Sequence, residues 1–183
     1  MSDFKAFSDS NDLNRIKVFL ENGLIVSGTF LVMERAVTAK DGEYKEAHAE
    51  YYDTWDLKDY LDADEMSFGK RKDESVLNEQ LSYEKSAILV INEKGRPVSS
   101  VTVWLKDEET YAAENIFTVP SYRRKGLAEA LLKETFKKAF DDGIKKIRLN
   151  VYADNAPAIS LYLKLGFEVT GSIFEFTDGD SNE

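Results

Sequence analysis

The chain has 183 residues, 43% hydrophobic and 32% charged, with a formal net charge of −10. That composition belongs to a soluble globular protein long enough to bury a core, read most simply as one domain. So acidic a balance argues against nucleic acid as a partner, because phosphate neutralisation supplies most of that affinity.

The chain contains no cysteine, and His48 is its one histidine. A disulfide framework, a thiolate zinc site, a cysteine nucleophile and a multi-histidine metal cluster are therefore not expected. No run of about 18 apolar residues offers a membrane span, and Met1 to Asn11 is too polar for a secretory signal peptide. The expectation is a cytoplasmic protein without a metal, its chemistry carried by Tyr, Glu, Asp, Lys or the backbone.

Near the N-terminus, Asp3 to Phe7 has the composition of a short strand. Asn11 to Asn22 has helical periodicity through Leu13, Ile16, Phe19 and Leu20 and ends at Gly23, with a strand over Ile16 to Leu20 as the competing reading. Leu24 to Val37 is strand-like and Asp53 to Tyr60 has helical character, but no periodicity decides the region 24–83. Ala87 to Ile91 is a short apolar β run. Glu93-Lys94-Gly95-Arg96-Pro97 is turn chemistry, and Val98 to Leu105 resumes as the second strand of a hairpin, with Val101, Val103 and Leu105 on one side.

After the charged turn Asp107 to Glu109, Ala113 to Val119 reads as a strand ended by Pro120. A helix from about Lys125 to Phe140 carries Leu127, Leu131, Leu132, Phe136 and Ala139 on its apolar stripe and stops at Asp141-Asp142-Gly143. Lys145 to Val151 alternates as a strand. Asn155 to Leu165 reads as a short helix, with Asn155 at the N-cap, Pro157 in the first turn and Gly166 just past the end. Phe167, Val169, Ile173, Phe174 and Phe176 make a last β segment, and the acidic tail 177–183 is expected to lack fixed structure. A hairpin followed by alternating strands and helices implies an α/β (α+β) fold, a mixed, mostly antiparallel sheet with helices packed on both faces.

Two features point to chemistry. Arg123-Arg124-Lys125-Gly126-Leu127-Ala128 joins a strand to a helix through glycine. Unpaired backbone N–H groups at such a helix N-terminus, with the dipole and three cations, favour a pyrophosphate; the competing reading is an ordinary strand–turn–helix with solvated cations. Asn155 and Tyr162 stand seven residues apart on one short helix, almost two turns, so with Ile159 they leave the same face and address one ligand. Each alone reads as well as an N-cap and a half-buried core tyrosine.

Taken together, the segment Asn115 to Ala128, the strand Leu149 to Val151 and Asn155 to Phe167 resemble the GCN5-related N-acetyltransferase (GNAT) family. The resemblance lies in R-x-x-G-x-A after a strand ending in proline, then N-x-x-A-x-x-L-Y-x-x-x-G-F, and it covers about residues 86–176 well. It implies acetyl-CoA as co-substrate and an amine as acceptor. It also implies that the backbone of Ile116, Phe117 and Thr118 bonds the pantetheine arm, with an N–H near Phe117 or Thr118 polarising the thioester oxygen. The same resemblance puts the pyrophosphate on the loop from Arg123 to Ala128, chiefly the amides of Arg124 to Ala128, the cofactor arm against Asn155, and Tyr162 beside the sulfur as the acid for the leaving thiolate. One branch carries a glutamate on the strand before the Asn helix, where this chain has Asn150, which is no base. Another places one at the start of the central strand, where Glu114 stands, as base or as a solvated strand-end carboxylate.

Residues Asp41 to Glu65 hold ten acidic residues against Lys45 and Lys58, interleaved with Tyr44, Tyr51, Tyr52, Trp55 and Tyr60. In the family this region lines the acceptor side, so it reads either as a wall for a cationic amine or as a solvated acidic surface. The whole is read as one domain over 1–176, with an acceptor-side region 24–83 and an acetyl-CoA-binding core 86–176. Other acceptors within the enzyme reading are a peptide N-terminus or a lysine. The alternative outside it is a catalytically silent acyl-CoA-binding regulatory module. A dinucleotide-binding domain is disfavoured by the lack of G-x-G-x-x-G. A homodimer stays open as the assembly.

Overall fold

The computed structural model describes residues 4–44, 49–52 and 57–179. In chain order the elements are β1 (Ala6–Asp9), α1 (Leu13–Glu21), β2 (Leu24–Ala36), β3 (Glu50–Tyr51), α2 (Leu57–Phe68), α3 (Glu74–Ser82), β4 (Ala87–Glu93), β5 (Arg96–Asp107), β6 (Thr110–Thr118), α4 (Leu127–Asp141), β7 (Lys146–Tyr152), α5 (Ala156–Lys164) and β8 (Glu168–Asp178). Their packing divides into two units, residues 36–148 and residues 1–35 with 149–183.

In the terminal unit β8 lies between β1 and β2 and is antiparallel to both. The last residues of β7 run beside β2, and Ala153 N donates to Thr29 O just beyond them. Side chains alternate across a strand, so Phe174 and Phe176 share one face of β8 while Ile173 and Glu175 share the other. α1 covers the first face: the Phe19 and Phe176 rings meet edge-on with centroids 5.1 Å apart. The helix starts because the Asp12 side chain accepts from Arg15 N at 3.0 Å, and ends before Gly23, whose φ of 82° suits glycine. Helix rather than strand is thus the outcome over Ile16 to Leu20. Leu13 and Leu20, counted in its periodicity, are exposed. β8 continues through Asp178, where Thr177 and Asp178 pair with Ile25 and Leu24; the ordered strand therefore reaches two residues into the segment read as a tail, and 180–183 lie outside the described residues.

In the central unit β3, β4, β5 and β6 form an antiparallel meander. Lys94 and Gly95, with φ of 55° and 78°, make the two-residue β4–β5 turn, a backbone twist that matches paired strands. α4 buries Leu131, Leu132, Phe136 and Ala139 completely. Each of the three larger side chains contributes about 1.5–3 kcal/mol of burial free energy. A second core cluster joins Tyr60 and Ala63 of α2, Leu77 of α3, Ile88 and Val90 of β4, and Phe117 with Val119. α3 and the two-residue β3 are additions to the sequence reading. The helix expected at Asp53 to Tyr60 overlaps α2, which runs on to Phe68; 53–56 lie outside the described residues.

Candidate active site

β6 carries an irregularity just before Ile116 to Thr118, the backbone expected to bond the pantetheine arm. Ser100 pairs with Phe117 and Thr102 with Glu114, so between these pairs Val101 alone on β5 faces two residues on β6, Asn115 and Ile116. This is a β-bulge, a device that bends a strand and frees backbone groups from the ladder. Asn115 supplies it with φ of 49°, a left-handed conformation that asparagine tolerates better than most residues. The Asn115 side chain accepts from Lys72 Nζ and donates through Nδ2 to Gln80 Oε1 at 3.2 Å. Gln80 Nε2 in turn donates to Glu114 Oε2 at 3.3 Å. Glu114 is half-buried and oriented by α3.

Beyond the bulge Phe117 points into the core against Tyr60 and Phe68, with centroid distances of 5.7 and 6.0 Å. Ile116 is half-buried, and the Thr118 hydroxyl meets Ser99 Oγ at 2.8 Å. The Arg123–Ala128 loop follows a 3-10 turn at Pro120–Tyr122. Arg124 and Gly126 are both left-handed, with φ of 62° and 80°, and alternation of this kind turns successive N–H groups toward one concavity. The N–H groups of Arg124, Lys125, Gly126, Leu127 and Ala128 have no acceptor among the described residues. A Cβ added at Gly126 meets nothing within 4 Å. The loop is thus an open set of donors at the start of a 15-residue helix, which fits a pyrophosphate. Its cations differ in posture: Arg123 Nε donates to Thr118 O at 3.1 Å, and Lys125 Nζ lies 4.5 Å from the Tyr122 ring centroid.

In the terminal unit, Asn155 caps α5, its Oδ1 accepting from Ala158 N at 3.3 Å. It is exposed, whereas Tyr162 is 5% exposed and lies against Phe167 with ring centroids 5.8 Å apart. Burial pushes the Tyr162 phenol up to about 12. Its hydroxyl donates to no acceptor among the described residues, so it is a protonated, unpaired donor.

The acidic stretch looks different from an open wall. Asp41 is fully buried and accepts from Thr38 N at 2.7 Å, capping the 3-10 turn at Ala39–Glu43. Arg71 and then Lys58 hold the Asp62 carboxyl below its ordinary range. Arg71 also reaches Glu65 at 3.1 Å. Asp64, fully buried, accepts from Lys72 at 2.9 Å. The reading of these carboxylates as an acceptor wall therefore gives way to local ion pairs and a cap at the described positions; Glu46, His48, Asp53, Trp55 and Asp56 lie outside the described residues. Sequence reading missed Lys72 and Gln80, which sit in polar helical or loop segments without periodic signal. It had one available cue for the bulge, an asparagine inside an otherwise strand-like run.

The GNAT acetyltransferase family profile matches residues 44–167, and the chain belongs to that family and so to the acyltransferases. It is 32% identical over 119 residues to the [Ribosomal protein bS18]-alanine N-acetyltransferase of Escherichia coli K12, covering 63% of this chain and 72% of that one. A solved putative GNAT-family acetyltransferase from Novosphingobium aromaticivorans superposes with a TM-score of 0.69 at 18% identity, over 85% of this chain and 66% of that chain. A GNAT-family acetyltransferase from Elizabethkingia anophelis, solved with acetyl-CoA bound, gives a TM-score of 0.57 at 15% identity, over 70% and 95%. These likenesses show the fold: the mixed, mostly antiparallel, helix-covered sheet expected from the sequence. Among the described residues no helix is long and apolar enough to cross a membrane.

Proposed function

We propose that the chain moves the acetyl group of acetyl-CoA directly to a primary amine carried by a small cationic molecule, a peptide or a protein. The observation that carries this reading is the loop Arg124 to Ala128, whose five unpaired N–H groups and left-handed Gly126 open α4. The family match runs through both units, which supports residues 1–176 acting as one catalytic domain. A cytoplasmic location, with no metal and no nucleic-acid partner, belongs to the same reading.

Acetyl-CoA supplies an acyl group already activated as a thioester. The amides of Arg124 to Ala128 hold its pyrophosphate, with the Arg123, Arg124 and Lys125 cations alongside. The backbone of Ile116 to Thr118, re-aimed by the Asn115 bulge, bonds the pantetheine arm as an added strand does. Asn155 contacts the same arm through Nδ2, since its Oδ1 already accepts from Ala158. An N–H at Phe117 or Thr118 polarises the thioester oxygen. As the amine nitrogen bonds the acyl carbon, the carbon–sulfur bond breaks. Glu114 takes the proton leaving nitrogen, directly or through a water, and the Tyr162 hydroxyl gives its proton to the departing sulfur.

Thermal shift with acetyl-CoA against NAD and ATP tests the cofactor, since a ligand at a hundred times its Kd stabilises by about 2.7 kcal/mol. An acceptor panel following CoA release tests the transfer. Stabilisation by NAD or ATP without stabilisation by acetyl-CoA removes the reading.

A further inference from the structure

Glu175 plays no part in the proposed transfer, yet it is among the most constrained charges of the terminal unit. It interrupts the apolar run of β8, faces away from Phe174 and Phe176, and is 6% exposed. Lys5 Nζ donates to its Oε2 at 2.9 Å, Ser27 Oγ donates to its Oε1 at 3.2 Å, and Tyr152 OH donates to its Oε2 at 3.4 Å. A buried carboxylate is stable only when paired in this way. The pairing cation, however, comes from a side chain that is itself 45% exposed.

Aromatic side chains lie on the same part of the sheet. Phe7 and Gly28 lie directly opposite Glu175 on β1 and β2. The Phe30 and Tyr152 ring centroids are 4.0 Å apart, and Phe7 stands 6.2 Å from Phe30. A Cβ at Gly28 would come within 3.3 Å of the Tyr152 ring and 3.5 Å of Glu175 Oε1, so glycine is what lets ring and carboxylate close on each other. Phe7 and Tyr152 remain 46% and 43% exposed. Burial and then the Glu175 charge raise the Tyr152 phenol above its ordinary value, so it keeps the proton that it donates.

A carboxylate set among accessible rings is chemistry that binds an ammonium group, by charge and by the ring quadrupole together. We propose that Glu175 with Phe7, Phe30 and Tyr152 is a binding subsite for the ammonium group of an aliphatic amine, and that Lys5 fills it when no amine is bound. The inference rests on the amine-acetyltransferase reading for the choice of an amine as its ligand. Replacing Lys5 by a ligand ammonium leaves no carboxylate unpaired, because one cation takes the place of another.

Calorimetry with putrescine, with and without acetyl-CoA, tests the subsite, and CoA release by the wild-type protein is followed separately. Glu175→Gln is expected to weaken putrescine binding by about tenfold or more. Lys5→Met removes the internal competitor without touching the buried carboxylate. It is expected to tighten putrescine binding, and putrescine should raise the Tm of this variant more than that of the wild type. A Lys5–Glu175 pair that only clamps the strands predicts the same lowered Tm in Lys5→Met but no gain in affinity and no added rescue, and that result overturns the proposal. So does a wild-type protein that does not bind putrescine. If the variants shift putrescine binding as expected while no amine yields CoA, the subsite stands and the transferase reading falls; if CoA is released and the variants change nothing, the reverse holds.

Discussion

Gln80 ties Glu114 to Asn115: its Nε2 donates to the Glu114 carboxylate at 3.3 Å while its Oε1 accepts from Asn115 Nδ2 at 3.2 Å. One side chain of α3 thus holds both the candidate base and the residue that makes the bulge. The bulge is set by backbone conformation and the base by a hydrogen bond, so the two can be separated by mutation.

Asn115→Gly keeps the left-handed conformation available and removes the side-chain bonds; acetyl-CoA affinity is expected to stay within about threefold of wild type. Asn115→Val forces a β-branched residue to a positive φ, a strain of about 1–3 kcal/mol, and should weaken acetyl-CoA binding together with Tm. Calorimetry and thermal melts check both. Equal affinity in the two variants would dissociate the bulge from the cofactor.

Gly126→Glu puts a carboxylate into the open space before α4 and strains a backbone at φ 80°. Severe loss of acetyl-CoA affinity in a variant that still melts cooperatively is the expected outcome. Unchanged affinity there takes the pyrophosphate off this loop.

Tyr162→Phe is expected to lower kcat by about ten- to a thousandfold with little change in acetyl-CoA affinity. A Lys-like amine becomes neutral near pH 10.4, to within about half a unit, and the Tyr162 phenol, at about 12, is still protonated there. Wild-type kcat/KM should therefore rise with pH to about 10 and show no descending limb below that. Because burial raises this phenol in the folded state, its stability contribution is fully present below its ordinary value of 10.0 and is lost as pH rises through about 12. A rate that falls between pH 8 and pH 9, about three to four units under that phenol, would name another acid.

The acidic stretch should respond by structure rather than by substrate. Asp41→Ala removes a buried cap and is expected to cost about 1–3 kcal/mol of stability without moving an acceptor KM. Asp62→Asn and Glu65→Gln break exposed pairs with Arg71 and should leave Tm nearly unchanged. A raised acceptor KM in the double variant Asp62→Asn, Glu65→Gln would restore the amine-wall reading.

Legibility in the sequence followed burial. α4 was readable because Leu131, Leu132, Phe136 and Ala139 all face the core at helical spacing. α3 was not, since Leu77 is its one fully buried residue and the rest of Glu74–Ser82 carries no stripe. α1 was readable from Ile16, Phe19 and its caps, although Leu13 and Leu20 share the rhythm without being buried. The Arg123–Ala128 and Asn155–Tyr162 motifs are local in sequence and therefore visible. Lys72 with Asn115 and Lys5 with Glu175 are long-range pairs fixed only by tertiary packing. Glu175 left one trace, a charge between Phe174 and Phe176, which in a strand marks the opposite face.

The most direct test of the central claim is product analysis by mass spectrometry, with acetyl-CoA and a panel of primary amines that includes putrescine and a lysine peptide. The account predicts an N-acetylated amine formed in equal amount with CoA by the wild-type protein, and strongly reduced formation of both by Tyr162→Phe. Acetyl-CoA bound to the protein with no acetylated amine from any acceptor would contradict it and leave a catalytically silent acyl-CoA-binding module.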